Sequence, residues 1–234
     1  MNATCKAIVL RQISYSETSI IVFCFTQDKG VKSFLYKGGK KKRATGILPL
    51  KILEISYYQH REDALASINS VQTAVALPDL YLNPIKTSIL FFLGEFLNQL
   101  LNKIQYTEQH LFEEIEHELI WLNESTEFAN YPIFWMIQWI EKLGIKPSLS
   151  DGEYFDIEAA RFTHQNPKSL FYQKGAEMQT LSYLFTQERL SILSYSLTKN
   201  ERTKIFNTLV DYYRFHIPEF KNFKSIEILQ TVLN

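Results

Sequence analysis

Residues 4–76 hold five short β-like runs with no helix-length periodicity between them, and few architectures can accommodate that. Thr4–Ser14 and Ser19–Thr26 are rich in Ile, Val and Phe. The polar link Tyr15–Thr18 joins them in a hairpin pattern. Gln27-Asp28-Lys29-Gly30 reads as a tight turn in which Gly30 can take a positive φ. Val31–Lys37 alternates, with Phe34 and Tyr36 on one face and Leu35 on the other. Pro49 leads into Leu50–Gln59, and Arg61–Asp63 turns the chain into Ala66–Ala74. Strands that follow one another without crossover helices pair locally, and five of them close into a small barrel.

After Ala76 the apolar period changes from 2 to 3.6. Asn83-Pro84 has the form of an N-cap followed by proline at the first helical position, and Ile85, Ile89, Phe92, Phe96 and Leu100 then share a stripe. Thr107 is the expected cap of a second helix containing Ile115, Leu119 and Leu122. Pro132 opens a third over Ile133–Leu143, closed by Gly144 with Pro147 beyond. Ser148–Gln173 is irregular, with short strands expected at Tyr154–Asp156 and Arg161–Thr163. Two helical segments follow between Glu177 and Tyr195. Thr198-Lys199-Asn200-Glu201 is a capping box heading a helix to His216, and a last helix covers Lys224–Leu233. The expected fold is α+β in two domains: a five-stranded OB-fold barrel at 1–78, then a helical domain at 79–234 with an insert at 148–173.

Formal net charge is zero, yet residues 1–80 hold eleven Lys/Arg against six Asp/Glu, and the remainder fourteen against nineteen. The excess concentrates around Val31–Pro49. Lys29, Lys32, Lys37, Lys40, Lys41, Lys42, Arg43 and Lys51 fall between Asp28 and Glu54 with no acid among them. Such a block repels itself, so a partner supplies the negative charge, and a phosphate backbone is the natural one. Gly38 and Gly39 would let the main chain approach phosphates while Lys32, Lys37, Lys40, Lys41, Lys42 and Arg43 neutralise them. On an OB barrel, Phe34, Tyr36, Tyr57 and Tyr58 are candidates to stack unpaired bases, with core packing the competing reading for each. The charge run competes with a solvated loop or a localisation signal. Its place between two strands argues against a detachable tail.

The opposite pole is Ile104–Glu141, with Glu108, Glu113, Glu114, Glu116, Glu118, Glu124, Glu127 and Glu141 and no Lys or Arg. It reads as a solvated helix face, or as one that docks a basic surface of this chain or of a partner. Tyr131, Phe134, Trp135 and Trp139 have helical spacing and read as core, with a peptide groove as the alternative. No P-loop, dinucleotide fingerprint or G-x-S-x-G elbow is present. Glu114-Ile115-Glu116-His117 is an E-x-x-H without a second copy, so it reads as an acidic helix face and not a di-metal site. Cys5 and Cys24 are too few for a disulfide framework or a structural zinc site and read as reduced thiols. No apolar run reaches the roughly 18 residues of a membrane span, and the N-terminus has no signal-peptide pattern. A cytoplasmic, non-enzymatic protein without cofactor is expected.

In Lys6–Leu10, Tyr15-Ser16-Glu17, Phe25-Thr26, Gly30, the Lys37-Gly38 segment with its basic tail, Leu48-Pro49-Leu50, Phe92–Leu101 and Leu111–Leu122, the chain resembles the RecO family of recombination mediators. The resemblance covers nearly the whole chain. It implies an OB-fold with a helical C-terminal domain and no catalytic residues. It further implies binding of single- and double-stranded DNA, annealing of complementary strands, and binding of the acidic C-terminal tail of single-stranded DNA-binding protein. It also implies loading of RecA, an indirect partner, together with RecR, in a nucleoid-associated setting. By position, Lys37, Lys40, Lys41, Lys42 and Arg43 match the family's DNA-binding segment. Many members hold zinc with four cysteines where this chain has Ser148–Gln173, which contains Ser150, Asp151, Gly152 and Asn166 but no cysteine. Zinc is therefore expected to be absent. Two rival readings remain: an OB-fold RNA-binding protein, and a non-catalytic adaptor whose basic loop meets an acidic protein.

Overall fold

The computed structural model describes residues 1–39, 47–61, 64–101 and 108–233. Strands β1 (Asn2–Ser14), β2 (Ile20–Thr26), β3 (Gly30–Tyr36), β4 (Ile52–Tyr58) and β5 (Ala66–Thr73) close into a barrel in the order β1-β2-β3-β5-β4. Neighbours are antiparallel except β3 and β5, which run parallel through Phe34↔Ala66 and Leu35↔Ser67. This is the expected OB-fold. Period-2 alternation delivers Ala7, Val9, Val22, Cys24, Phe34, Tyr36, Ile55, Tyr57 and Ile68 to a single interior. The β1–β2 register shifts between Val9 and Arg11, a bulge where β1 bends.

Cys24 is fully buried in that interior, and burial pushes the Cys5 thiol up to about 11. Thiols react as thiolates. Both cysteines are therefore expected to resist a disulfide-exchange reagent at pH 7.5 until the barrel is unfolded, and rapid stoichiometric labelling of native protein would contradict this.

The chain forms two compact units, Met1–Ser125 and Thr126–Asn234, so the break in compactness falls well after the expected domain boundary at 78/79. The reason is that α1 (Pro78–Leu82), α2 (Pro84–Leu100) and α3 (Glu108–Glu124) gather with the barrel. As expected, Asn83 caps α2, its side chain accepting from the N–H groups of Ile85 and Lys86 at 3.0 and 3.3 Å. Gly94 of α2 lies against the Leu10 carbonyl, where an added Cβ would sit 3.4 Å from the oxygen. Phe112 of α3 meets Phe25 of β2 at 6.0 Å, and Lys6 of β1 donates to both Glu116 carboxylate oxygens, at 2.5 and 2.7 Å. Lys86 looks in sequence like a polar interruption of an apolar run. It is a buried tie, its ammonium pairing with Asp79 of α1 and donating to the Asn123 carbonyl at 2.9 Å.

In the second unit α4 (Tyr131–Lys142) is buried on nearly every side, and Tyr131, Phe134, Trp135 and Trp139 are core as expected. Gly144 ends it at φ +70°, and the Ile145 N–H returns to the Ile140 carbonyl at 3.1 Å. The insert forms β6 (Tyr154–Asp156) and β7 (Arg161–Thr163), both as expected, plus β8 (Tyr172–Lys174), in the order β7-β6-β8. Helices α5 (Ala176–Leu184), α6 (Arg189–Ser194), α7 (Lys199–His216) and α8 (Ile226–Val232) follow. The capping box is present, with Glu201 N–H donating to Thr198 Oγ1 and Thr198 N–H to Glu201 Oε2. The Arg202 guanidinium donates to Asn130 Oδ1 and to the Leu197 and Leu233 carbonyls, joining the starts of α4 and α7 to the end of α8.

Candidate nucleic-acid interface

The β3–β4 connection is anchored on the barrel at both ends. On the outgoing side Lys37 is exposed directly after β3, and Gly38 takes φ +72°, a conformation that favours glycine. Gly39 is buried, and a Cβ there would lie 2.9 Å from Ile20 Cγ1 and 3.0 Å from the Tyr36 ring. On the returning side Ile47 enters the barrel interior. Leu50 is fully buried at φ +59°, a left-handed conformation costing a leucine about 1–2 kcal/mol. Its N–H donates to the Val9 carbonyl at 2.7 Å, and the Val9 N–H donates to the Lys51 carbonyl at 3.0 Å. Leu48-Pro49-Leu50 is thus latched to the bulge of β1. Lys40, Lys41, Lys42 and Arg43 lie outside the described residues, as do Asp63 and Thr107.

Lys32 belongs to a different place. It sits near the start of β3 and Lys37 just past its end, so five residues at about 3.3 Å each separate them by roughly 16 Å. Its ammonium donates to Gln59 Oε1 at 2.7 Å and lies 4.5 Å from the Tyr57 ring centroid. With Lys29, Gln59 and Leu65 it lines an open cleft of about 440 Å³ at that end of the barrel.

The stacking candidates divide. Tyr36 and Tyr57 are 8% and 3% exposed, and Phe34 is fully buried with its ring 5.2 Å from Tyr57 in a T-shaped contact. Their ring faces are covered, so stacking by Tyr36 and Tyr57 is corrected to core packing. Tyr58 is 45% exposed, but it closes β4 at the end remote from Lys51.

Residues 1–76, the span that contains all five barrel strands, match the family model described as recombination protein O N terminal. Over almost its whole length the chain is also similar to proteins named DNA repair protein RecO. That of Bacteroides fragilis is 28% identical over 236 residues, 97% of each chain. That of Flavobacterium johnsoniae is 27% identical over 246 residues, covering both chains completely. The likeness to RecO proteins spans both compact units. A third relative, from Porphyromonas gingivalis, is 28% identical over 98% of each chain.

The insert has no cysteine, so its residues do not fit a four-thiolate zinc site. Aromatic packing holds it: Phe155 stacks on Phe162 at 4.3 Å and meets Tyr212 of α7 at 5.3 Å. In the acidic pole Glu116 is engaged by Lys6, and Glu114 faces His110 at 3.4 Å. Part of this helix therefore docks a basic residue of the same chain, one of the readings open from sequence.

One surface of the second unit escaped the sequence reading. Leu170 is 91% exposed, and Phe171, Tyr172 and Phe215 are exposed beside it. With Ile157 and Arg214 they line an open cleft of about 450 Å³, where the Phe171 and Phe215 rings lie 5.3 Å apart. The signal was the apolar run Leu170-Phe171-Tyr172 in a segment otherwise irregular and polar.

Proposed function

We propose that this chain is a DNA-binding recombination mediator acting in DNA repair. Through the β3–β4 end of its barrel it binds single- and double-stranded DNA and promotes strand annealing. With RecR it assists RecA loading onto DNA coated by single-stranded DNA-binding protein, whose acidic C-terminal tail it also recognises. The observation that carries this reading is the set Lys37, Lys40, Lys41, Lys42, Arg43 and Lys51, without an acid among them, in a β3–β4 connection clamped at both ends to an OB barrel whose sequence is similar to RecO proteins. Neutralising two backbones at once lowers the repulsion that opposes annealing. The relatives named DNA repair protein RecO support the repair setting. The open cleft beside Arg214, lined by exposed aromatics together with Gln173 and Asp211, supports a protein-docking role for the second unit. The action proposed is binding and not covalent chemistry, in the cytoplasm and at the nucleoid. Among the described residues no helix is long and apolar enough to cross a membrane.

Equilibrium binding of a labelled single-stranded oligonucleotide between 50 and 500 mM salt tests this proposal. The plot of log affinity against log salt is expected to fall with a slope of about −3 or steeper, since roughly 0.7 counterion is released per phosphate contact on a single strand. Affinity indifferent to salt, or no binding, would remove the proposal.

A further inference from the structure

We infer that Tyr15, at the tip of the β1–β2 hairpin, stacks an unpaired base and so makes this chain bind single-stranded DNA more tightly than double-stranded DNA. The inference rests on the DNA-binding reading above and adds to it the residue that separates the two strand states.

Register places Tyr15 beside Lys37. Ser14, Ile20 and Tyr36 pair in one row across β1, β2 and β3. The residues just beyond that row, Tyr15, Ser19 and Lys37, therefore share one rim of the barrel. Two strand spacings of about 4.8 Å set Tyr15 and Lys37 roughly 10 Å apart. Of the aromatics considered above, Phe34, Tyr36 and Tyr57 are interior and Tyr58 lies at the other end, whereas Tyr15 is 63% exposed. The hairpin tip is ordered: the Tyr15 and Ser16 N–H groups donate to the Ser19 carbonyl at 3.1 and 3.3 Å, and the Ser19 N–H donates to Ser16 Oγ at 3.2 Å. A ring held by such a turn loses little freedom when a base lands on it.

The surface below it suits a base and not a phosphate. Tyr15 continues the alternation of Arg11 and Ile13, and Ile13 is itself exposed while pairing across to Ile21 and then Leu35. The Arg11 guanidinium lies 3.7 Å over the Phe23 ring and donates to Asn98 Oδ1, so it is committed to packing. From Tyr15 to Ser19 the hairpin carries Glu17 and no cation. Phosphates thus belong on Lys37 after β3, and the half-exposed apolar row under Tyr15 takes bases. Every base has a π-face, so this contact is sequence-tolerant, and bases stacked inside a duplex cannot reach it.

The test compares wild type, Tyr15→Phe, Tyr15→Leu and Tyr15→Ala on single- and double-stranded oligonucleotides of equal length at fixed salt. Tyr15→Ala and Tyr15→Leu are expected to lose about ten-fold in single-strand affinity, with duplex affinity and both salt slopes unchanged. Tyr15→Phe is expected to retain wild-type affinity, because the ring and not the hydroxyl is used. Retention by Tyr15→Leu would show an apolar contact without stacking and overturn the inference. So would equal losses on both substrates, or no loss in Tyr15→Ala while wild type still binds with a salt-dependent slope. Wild-type protein that binds neither oligonucleotide would remove the DNA-binding reading and this inference together.

Discussion

Replacing Lys40, Lys41, Lys42 and Arg43 together by alanine is expected to weaken single-strand binding by about 10² to 10³ at 0.1 M salt. On a single strand each neutralised phosphate releases about 0.7 counterion, so losing four contacts makes the slope of log affinity against log salt shallower by about 3. The barrel is expected to stay folded. The anchors of that connection are the buried Gly39, the inserted Ile47 and the latch between Leu50 and Val9, and none of these is changed. Lys32→Ala is expected to behave differently. The Lys32 ammonium already bonds Gln59 and faces the Tyr57 ring, so its loss should disturb the barrel mouth and alter the salt slope by less than 1. Circular dichroism and a denaturant midpoint separate the two variants. An unchanged affinity in the four-fold variant would show that the basic segment is a solvated loop.

Gly152→Ala is expected to produce the largest stability loss, confined to the second unit. A Cβ at residue 152 would lie 2.0 Å from the Thr163 carbonyl carbon, 2.1 Å from its oxygen and 2.5 Å from the His164 nitrogen. All three are backbone atoms of the chain leaving β7, so no side-chain rotation relieves the overlap. Either β7 leaves β6 or residues around 152 move away. The first breaks the stacking of Phe155 on Phe162, and the second disturbs the approach to β6. Overpacking ordinarily costs 1–3 kcal/mol, and overlap with main chain belongs above that range, at about 3 kcal/mol or more. Calorimetry should show a lowered transition while DNA binding by Met1–Ser125 persists. A melting profile equal to wild type would contradict the packing described here.

Much of this architecture can be read from local chemistry. Five alternating runs, the Asn83 cap, the Thr198–Glu201 box and the Gly144 stop each depend on residues within one or two turns, and each forms as expected. What escapes local reading depends on distant partners. Alternation puts Phe34 and Tyr36 on one face of β3, but only barrel closure makes that face the inside, and this turns two stacking candidates into core. Lys32 looks like another free cation until Gln59 and Tyr57 arrive from β4 and its following loop. Lys86 looks like an intruder in an apolar helix until Asp79 and Asn123 surround it. The break in compactness at Ser125 follows from contacts such as Lys6–Glu116 that join residues far apart in sequence. Tyr15 was visible as part of a hairpin link, yet its position next to Lys37 exists only through the register of three strands.

The most direct test of DNA handling by this chain is the rate at which it anneals complementary strands coated with single-stranded DNA-binding protein, measured as salt is raised. If the uncompensated cations of the β3–β4 connection bridge two phosphate backbones, annealing will be accelerated at low salt, will decline steeply as salt rises, and will be lost in the variant without Lys40–Arg43. Acceleration that ignores both salt and those four substitutions, or no acceleration at any salt, would contradict it.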